Sequence, residues 1–332
     1  MSRRVGVLTG SSNSSGIQAF LWRLTQQLES RGVEAVGFEE GWRGVVEGRY
    51  RALRSEELRP LVFQAGSSLL TSRTDPLKDG TLSRALDRLA EARVDALVAV
   101  GGTETLAAAA AASRMGVRVV GVPQAVENDV IGTESCIGFP TAAQRGVEMV
   151  CAALSSTWPD GCNLVVEVPG RQAGWLALRI GVDTFADAVL IPELPAEPDS
   201  VAGLVKESAA SGRRAALVVV AEGVPLGETA GAAGAGVGHA LAGYLREETG
   251  RDVRVQVLGD ALRGGPPSER DLWHANLFAD RVAELIEAGR CGVMAGLQGG
   301  RIVEVPLERA AGGVRQVTPE WLEFARKAVG AR

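Results

Sequence analysis

Ala96-Leu97-Val98-Ala99-Val100-Gly101-Gly102-Thr103-Glu104-Thr105 runs into an alanine-rich stretch, Leu106 to Ala112, and then into Val117-Arg118-Val119-Val120-Gly121-Val122. Five uninterrupted apolar residues before Gly101 predict a strand buried on both faces. The alanines predict a helix that packs tightly against a neighbour. Strand, glycine turn, helix and strand make the unit from which parallel sheets are built.

The alternation continues in both directions. Val5–Leu8, Val33–Phe38, Ala96–Val100, Val117–Val122, Leu164–Val168, Ala188–Ile191, Ala216–Ala221, Val253–Leu258 and Gly292–Ala295 are predicted strands. Helical patterns lie between them near 16–31, 81–93, 104–115, 141–156, 172–183, 198–211, 236–249 and 270–289. The first carries Ile17, Phe20, Leu21, Leu24 and Leu28 on one stripe. Nine apolar strands separated by helices predict an α/β fold of two doubly wound, mainly parallel sheets covered on both faces. The length of 332 residues is too great for one small domain and agrees with that. No repeat of about 20–50 residues suggests a solenoid. Gly223 to Gly238 is glycine- and alanine-rich and reads as a flexible loop before a helix, or as a plain surface connection.

Composition excludes several classes. Mean hydropathy is +0.09, and no apolar run reaches the roughly 18 residues of a membrane span. Lys and Arg number 35 against 40 Asp and Glu, a net charge of −5, so no basic field attracts nucleic acid. Cys136, Cys151, Cys162 and Cys291 form no C-x-x-C pair, and only His239 and His274 could join them, so neither a zinc site nor a disulfide framework is expected. The apolar stretch after Arg4 is too short for a signal-peptide core, which predicts a cytoplasmic protein. Lysines are Lys78, Lys206 and Lys327 alone. A GC-rich genome accounts for that bias, and some of the arginines can still serve as forks for phosphate.

In open parallel sheets ligands bind beyond the carboxyl ends of the strands. After the first strand come Thr9-Gly10-Ser11-Ser12-Asn13-Ser14-Ser15-Gly16, a polar turn whose backbone N–H groups and helix dipole suit an anion, or a simple capped junction. Gly101-Gly102 permits close approach of a ligand, or tight packing with Thr103 or Thr105 as helix cap. Pro123-Gln124-Ala125-Val126-Glu127-Asn128-Asp129 places two carboxylates about an asparagine, able to take a hydroxyl proton or hold Mg²⁺, or a solvated acidic turn. Gly170-Arg171, Glu222, Arg254 and Arg263 lie at or near further strands, where arginine suits phosphate and glutamate suits hydroxyls.

In this order the motifs resemble the phosphofructokinase family over nearly the whole chain. Val5-Gly6-Val7-Leu8-Thr9 stands as its first strand, Gly101-Gly102 as its G-G-D-G-S and Pro123 to Asp129 as its P-G-T-I-D-N-D. Ile137-Gly138-Phe139-Pro140-Thr141-Ala142, Val166-Glu167-Val168, Gly170-Arg171, Glu222, Val257-Leu258-Gly259 and Arg263-Gly264-Gly265 follow at family spacing. The resemblance implies a glycolytic transferase, a kinase carrying phosphate from ATP, or in one branch pyrophosphate, to the 1-hydroxyl of fructose 6-phosphate, with Mg²⁺ as cofactor. It implies two lobes with a cleft between them. Residues 1–138 with about 262–312 would form the donor lobe, and 139–261 with about 313–332 the sugar-phosphate lobe. It also implies a homotetramer, a dimer of dimers, in which Arg254 can serve a neighbouring subunit.

Residue by residue, Glu127 stands for the catalytic base, Asp129 for the second acid, and Arg171 for a catalytic arginine that also binds substrate. Ala125, Gly170, Glu222, Arg254 and Arg263 fall on the sugar-phosphate side, and Ser11, Arg73, Gly102, Thr103 and Glu104 on the donor side. Several positions depart from the pattern. Cys162 replaces an arginine, Asp260 a phosphate-binding histidine, and Pro169 a methionine. Ser11-Ser12 replaces a glycine pair, Thr103 the magnesium-holding aspartate, and Ala125 a threonine that places the reacting phosphate. Glu104 stands where the ATP branch has glycine and the pyrophosphate branch aspartate, and Gln124 replaces the lysine of the pyrophosphate branch, so the pattern of neither branch is matched. Glu127 is one methylene longer than the family aspartate, and misplacement of about 1 Å can cost roughly 10²-fold in rate. ATP and Mg²⁺ are both put in question, and slow ATP-dependent turnover is expected. Trp22 and Gln26 replace two effector-site arginines, while Arg54, Asp187 and Arg213 still resemble that site. The alternative is a non-catalytic sugar-phosphate-binding or regulatory paralogue, paired with an active one. A kinase for a dinucleotide is disfavoured by the long-range motif order.

Overall fold

The computed structural model describes residues 3–10, 12–194, 197–226 and 236–329, with no side-chain description for 328 and 329. The chain divides into two compact units. Unit 1 comprises Met1–Thr141 and Arg263–Arg315, and unit 2 comprises Ala142–Leu262 and Gln316–Arg332.

The elements run β1 (Arg4–Thr9), α1 (Ile17–Ser30), β2 (Glu34–Phe38), α2 (Trp42–Glu47), β3 (Tyr50–Ala52), α3 (Ser55–Leu58), α4 (Leu82–Glu91), β4 (Ala96–Gly101), α5 (Thr103–Arg114) and β5 (Val119–Pro123). Then come α6 (Phe139–Thr157), β6 (Asn163–Val168), α7 (Trp175–Asp183), β7 (Ala188–Leu190), α8 (Pro198–Ala210), β8 (Leu217–Ala221), α9 (Val237–Thr249) and β9 (Val253–Val257). The chain closes with α10 (Glu269–Glu287), β10 (Val293–Gln298), β11 (Arg301–Pro306), α11 (Leu307–Ala310) and α12 (Pro319–Val329). None of the described helices is long and apolar enough to cross a membrane.

Unit 1 holds a seven-stranded sheet in the order β11-β10-β5-β4-β1-β2-β3. Its five inner strands are parallel, and β3 and β11 pair antiparallel at the two edges. Alternate residues feed two cores, as the two-residue period of a strand requires. Val5, Val7, Val98 and Val100 pack with α1 and α10, whereas Leu8, Leu97 and Ala99 pack with α2, α4 and α5. From β1 the chain goes to β2 on one side, while β4 and β5 lie on the other. The strand order therefore switches direction beyond the carboxyl ends of β1 and β4. There the Gly10 N–H donates to the Val100 carbonyl at 2.7 Å.

Unit 2 holds a wholly parallel sheet, β7-β8-β6-β9. β6 and β8 are buried throughout, as their unbroken apolar sequences predict. β9 departs from that expectation. It is an edge strand, with Arg254, Gln256 and Val257 exposed.

All nine predicted strands have counterparts, in β1, β2, β4 to β10. β3 and β11 were not expected. Tyr50–Ala52 is too short to carry a period, and β11 follows β10 through a hairpin at Gly299-Gly300, both left-handed (φ 57° and 75°). That glycine pair is the usual chemistry of a two-residue hairpin turn.

Candidate active site

Beyond β1 and β4, the first turn of α5 closes over the strand ends. Thr105 is buried there and fills the space above two glycines. A Cβ on Gly10 would collide with Thr105 Oγ1, and one on Gly101 would come within 2.6 Å of Thr105 Cβ. Gly101 thus admits a side chain of the helix that follows it, not a ligand. Gly102 is the open member of the pair, where an added Cβ would meet only the Gln124 carbonyl, at 3.7 Å. Neither Thr103 nor Thr105 caps the helix. The cap is Gly102 in extended backbone, without a side-chain hydrogen bond. Thr103 Oγ1 is buried and lacks a hydrogen-bond partner among the described residues.

Glu104 is exposed on the same turn, and Lys78 Nζ reaches its Oε1 at 2.6 Å while lying 3.3 Å from Asp75 Oδ2. The hydrogen bond to Glu104, and next that to Asp75, raise the Lys78 pKa. Gly10, Trp42, Arg73, Asp75, Glu104 and Thr105 line a narrow cleft with about 20 Å³ of accessible space, room for about one water molecule. Arg73 is exposed at its rim. Ser11 lies outside the described residues. Gln124 is fully buried. Its Nε2 donates to the Ser12 carbonyl at 3.0 Å and to Ser14 Oγ at 3.1 Å, so the amide ties the acidic loop to the first loop.

The acidic loop is clamped at its root. Ala125 N–H donates to the Ile137 carbonyl at 3.2 Å, and Ile137 N–H to the Pro123 carbonyl at 3.0 Å. Asn128 takes left-handed backbone (φ 57°), which asparagine tolerates better than most residues. Its Nδ2 donates to the Glu134 carbonyl at 2.9 Å, and its Oδ1 accepts from Cys136 N–H at 2.8 Å. Glu127 and Asp129 therefore flank a pinned residue. Arg263 Nη2 donates to Glu127 Oε1 at 2.6 Å, with the two side chains only 23% and 20% exposed. Burial, and then the charge of Glu127, push the Asp129 carboxyl up to about 6. Arg315 donates its N–H to the Asp129 carbonyl at 2.8 Å and Nη1 to the Asn128 carbonyl at 3.1 Å.

Asp271 is a member of this region that the sequence pattern does not reveal. It is wholly buried at the start of α10 and accepts from Gly138 N–H at 2.8 Å, Thr141 N–H at 2.9 Å and Thr141 Oγ1. Burial raises its carboxyl to about 6 against those hydrogen bonds. It holds the turn that clamps the acidic loop. In the sequence it looks like an ordinary helix-face charge.

In unit 2, the loops after β6 and β8 are stitched together. Gly223 N–H donates to the Gly170 carbonyl at 3.1 Å, and a Cβ on Gly223 would collide with the Arg171 carbonyl. Gly170 itself has φ 150°. This sets Arg171 Nε 3.3 Å from Glu222 Oε1, with the Arg171 side chain 85% exposed. Arg254 does not join them. It stands opposite Leu164, at the start of β6, and its Nη2 meets Asp160 Oδ2 at 2.7 Å. The expectation of arginines gathered at successive strand ends fails for Arg254, because residue two of a five-residue strand lies at the wrong end of the sheet. Of the effector-like residues, Arg213 pairs with Asp187 in unit 2, while Arg54 belongs to unit 1.

The residues do not fit a protein-held Mg²⁺. Thr103 offers a neutral hydroxyl, Glu127 is engaged by a guanidinium, and burial favours the neutral form of Asp129. Among the described residues no group of three or more His, Cys, Asp or Glu side chains could hold a metal ion.

The family model for phosphofructokinase matches residues 4–286. A pyrophosphate–fructose 6-phosphate 1-phosphotransferase of Thermoproteus tenax is 39% identical over 328 residues, spanning 97% of each chain. An ATP-dependent 6-phosphofructokinase of Chloroflexus aggregans is 33% identical over 333 residues, covering 96% of this chain and 93% of the other. The crystal structure of a pyrophosphate-dependent phosphofructokinase from Nitrosospira multiformis shares the fold, with a TM-score of 0.85 at 16% identity over 99% of this chain and 91% of that one. On matches of this length, this α/β chain belongs to the phosphofructokinase family.

Proposed function

We propose that the chain transfers a phosphoryl group to the 1-hydroxyl of fructose 6-phosphate, with pyrophosphate as its effective donor and only slow use of ATP. The observation that carries the donor assignment is Glu104. Its carboxylate stands on the first turn of α5, lining the narrow cleft with Gly10, Trp42 and Arg73. It opposes a third phosphate and the nucleoside attached to it, while a compact donor needs less room. The 39% identical relative named for pyrophosphate supports this reading. Gln124 supplies no cation, so Arg73 and Lys78 are the donor's positive partners.

In the reaction Glu127 takes the proton of the hydroxyl. The sugar oxygen bonds to the transferred phosphorus, the bond from that phosphorus to the bridging oxygen breaks, and orthophosphate leaves with the electron pair. Asp129 is the second carboxyl of the loop. Exposed Arg171 swings onto anionic oxygens, and Glu222 meets sugar hydroxyls. Unit 1 serves the donor and unit 2 the sugar phosphate. Arg254, remote from Arg171 in its own sheet, serves the sugar phosphate of a second copy in a homo-oligomer. We place the reaction in the cytoplasm. Phosphoryl transfer of this kind draws mostly on positioning and charge.

The test is a coupled assay of fructose 1,6-bisphosphate formation with magnesium and either donor. Pyrophosphate should exceed ATP in kcat/KM by at least about tenfold. The reverse order sinks the donor assignment. A second reading, a non-catalytic sugar-phosphate-binding paralogue, draws on Thr103 and on Gln124 tied into the first loop. Calorimetric binding of fructose 6-phosphate without turnover on either donor would favour it.

A further inference from the structure

We infer that Arg263 decides which acceptors are turned over, by occupying Glu127 until a phosphate on the acceptor draws it away. This rests on the reading of Glu127 as proton acceptor. Arg263 Nη2 sits 2.6 Å from Glu127 Oε1 in a mostly buried setting, where a charge-assisted hydrogen bond is stronger than at the open surface. An oxygen that already accepts a guanidinium N–H presents less of itself to an incoming hydroxyl. While the pair holds, the hydroxyl is left Oε2 and must compete with the guanidinium for the carboxylate.

The backbone beyond Arg263 is anchored. Ser15 Oγ donates to the Gly265 carbonyl at 2.7 Å, and Ser268 caps α10 by accepting from Asp271 N–H. The exchange therefore moves the side chain and leaves this backbone in place. A phosphate dianion offers that fork more charge and more oxygens than a single carboxylate does. The phosphate of fructose 6-phosphate is remote from the reacting hydroxyl, so its binding is converted into freedom of Glu127, a use of binding away from the reacting centre that raises kcat. A ketose without phosphate leaves Arg263 in place and is rejected in kcat, not only in affinity.

The experiment compares the native protein with Arg263→Gln and Arg263→Lys, using pyrophosphate as donor. The acceptors are fructose 6-phosphate and 2,5-anhydromannitol, a furanose-like acceptor without phosphate, the latter with and without added phosphite. On the native protein, phosphite should raise turnover of 2,5-anhydromannitol at least about tenfold. Arg263→Gln should raise that turnover by a similar factor without phosphite, while lowering kcat/KM for fructose 6-phosphate by about tenfold or more. Arg263→Lys, which keeps the charge, should retain part of the phosphite response. A general weakening of the fold cannot move the two substrates in opposite directions.

Loss on both acceptors alike, or a native protein indifferent to phosphite, overturns the inference. The phosphite arm needs no variant, so it stands even if Arg263→Gln fails to fold. A native protein inactive on fructose 6-phosphate with either donor instead brings down the underlying functional reading, and the inference with it.

Discussion

Lys78 Nζ lies 2.6 Å from Glu104 Oε1, and both side chains are about two-thirds exposed. A pair so open to water contributes little to stability. Its consequence lies at the cleft that we propose takes the donor, where Glu104 both fills space and offsets a cation.

Replacing Thr103→Asp together with Glu104→Gly removes the bulk and supplies a carboxylate for magnesium. ATP-dependent kcat/KM should rise at least about tenfold, with tighter equilibrium binding of ATP. If neither quantity rises, Thr103 and Glu104 do not govern the donor.

Asp129 and Asp271 have carboxyls raised to about 6 from 3.8, mainly by burial. The folded state therefore holds these protons more tightly than the unfolded chain. Stability falls as pH rises from about 4 to about 6, by up to about 3 kcal/mol for each group. Asp129→Asn removes one such cost. Its unfolding midpoint should exceed that of the native protein at about pH 7, with the gain shrinking towards about pH 4. A gain independent of pH would mean that Asp129 is not the group titrating.

Gly223→Ala pushes a methyl group into the Arg171 carbonyl. Overpacking of this kind costs about 1–3 kcal/mol, and displacement of Arg171 should raise the KM for fructose 6-phosphate about tenfold. Gly203→Ala in α8 is the control, since a Cβ there meets nothing within 4 Å. It should be neutral or stabilising by up to about 1 kcal/mol. Equal effects of the two variants in thermal unfolding and kinetics would contradict the stitched-loop account.

Asn128 combines left-handed backbone with two hydrogen bonds. Asn128→Ala loses the bonds and adds left-handed strain, at about 2–4 kcal/mol in all. Asn128→Gly loses the bonds alone and should be about 1 kcal/mol less damaging. Denaturant unfolding resolves the difference, and identical losses would refute the strain component.

The strands of both sheets were legible because each buried one is an apolar run bounded by turn residues. β9 was legible as a strand but not as an edge: Val253-Arg254-Val255-Gln256-Val257 alternates strictly, which marks a solvated face but does not distinguish an edge strand from a central one. Loop composition located the acidic turn at Glu127 and Asp129, yet nothing nearby in sequence announces Arg263, Arg315 or Asp271 as its neighbours. Those partners arrive through pairing that spans more than a hundred residues. Gly101 was read as room for a ligand or as tight packing, and the packing reading holds, since its space belongs to Thr105, four residues on. A glycine reports a close approach but does not name the atom that approaches.

Val120 of β5 pairs with Val293 of β10, and the whole of the second sheet is encoded between them. On the ribosome, β5 therefore emerges with its outer edge bare, and it stays so while unit 2 is translated. An unpaired apolar edge invites pairing with another nascent chain. The inserted segment can finish its own sheet first, so the sheet begun first is the last to be completed.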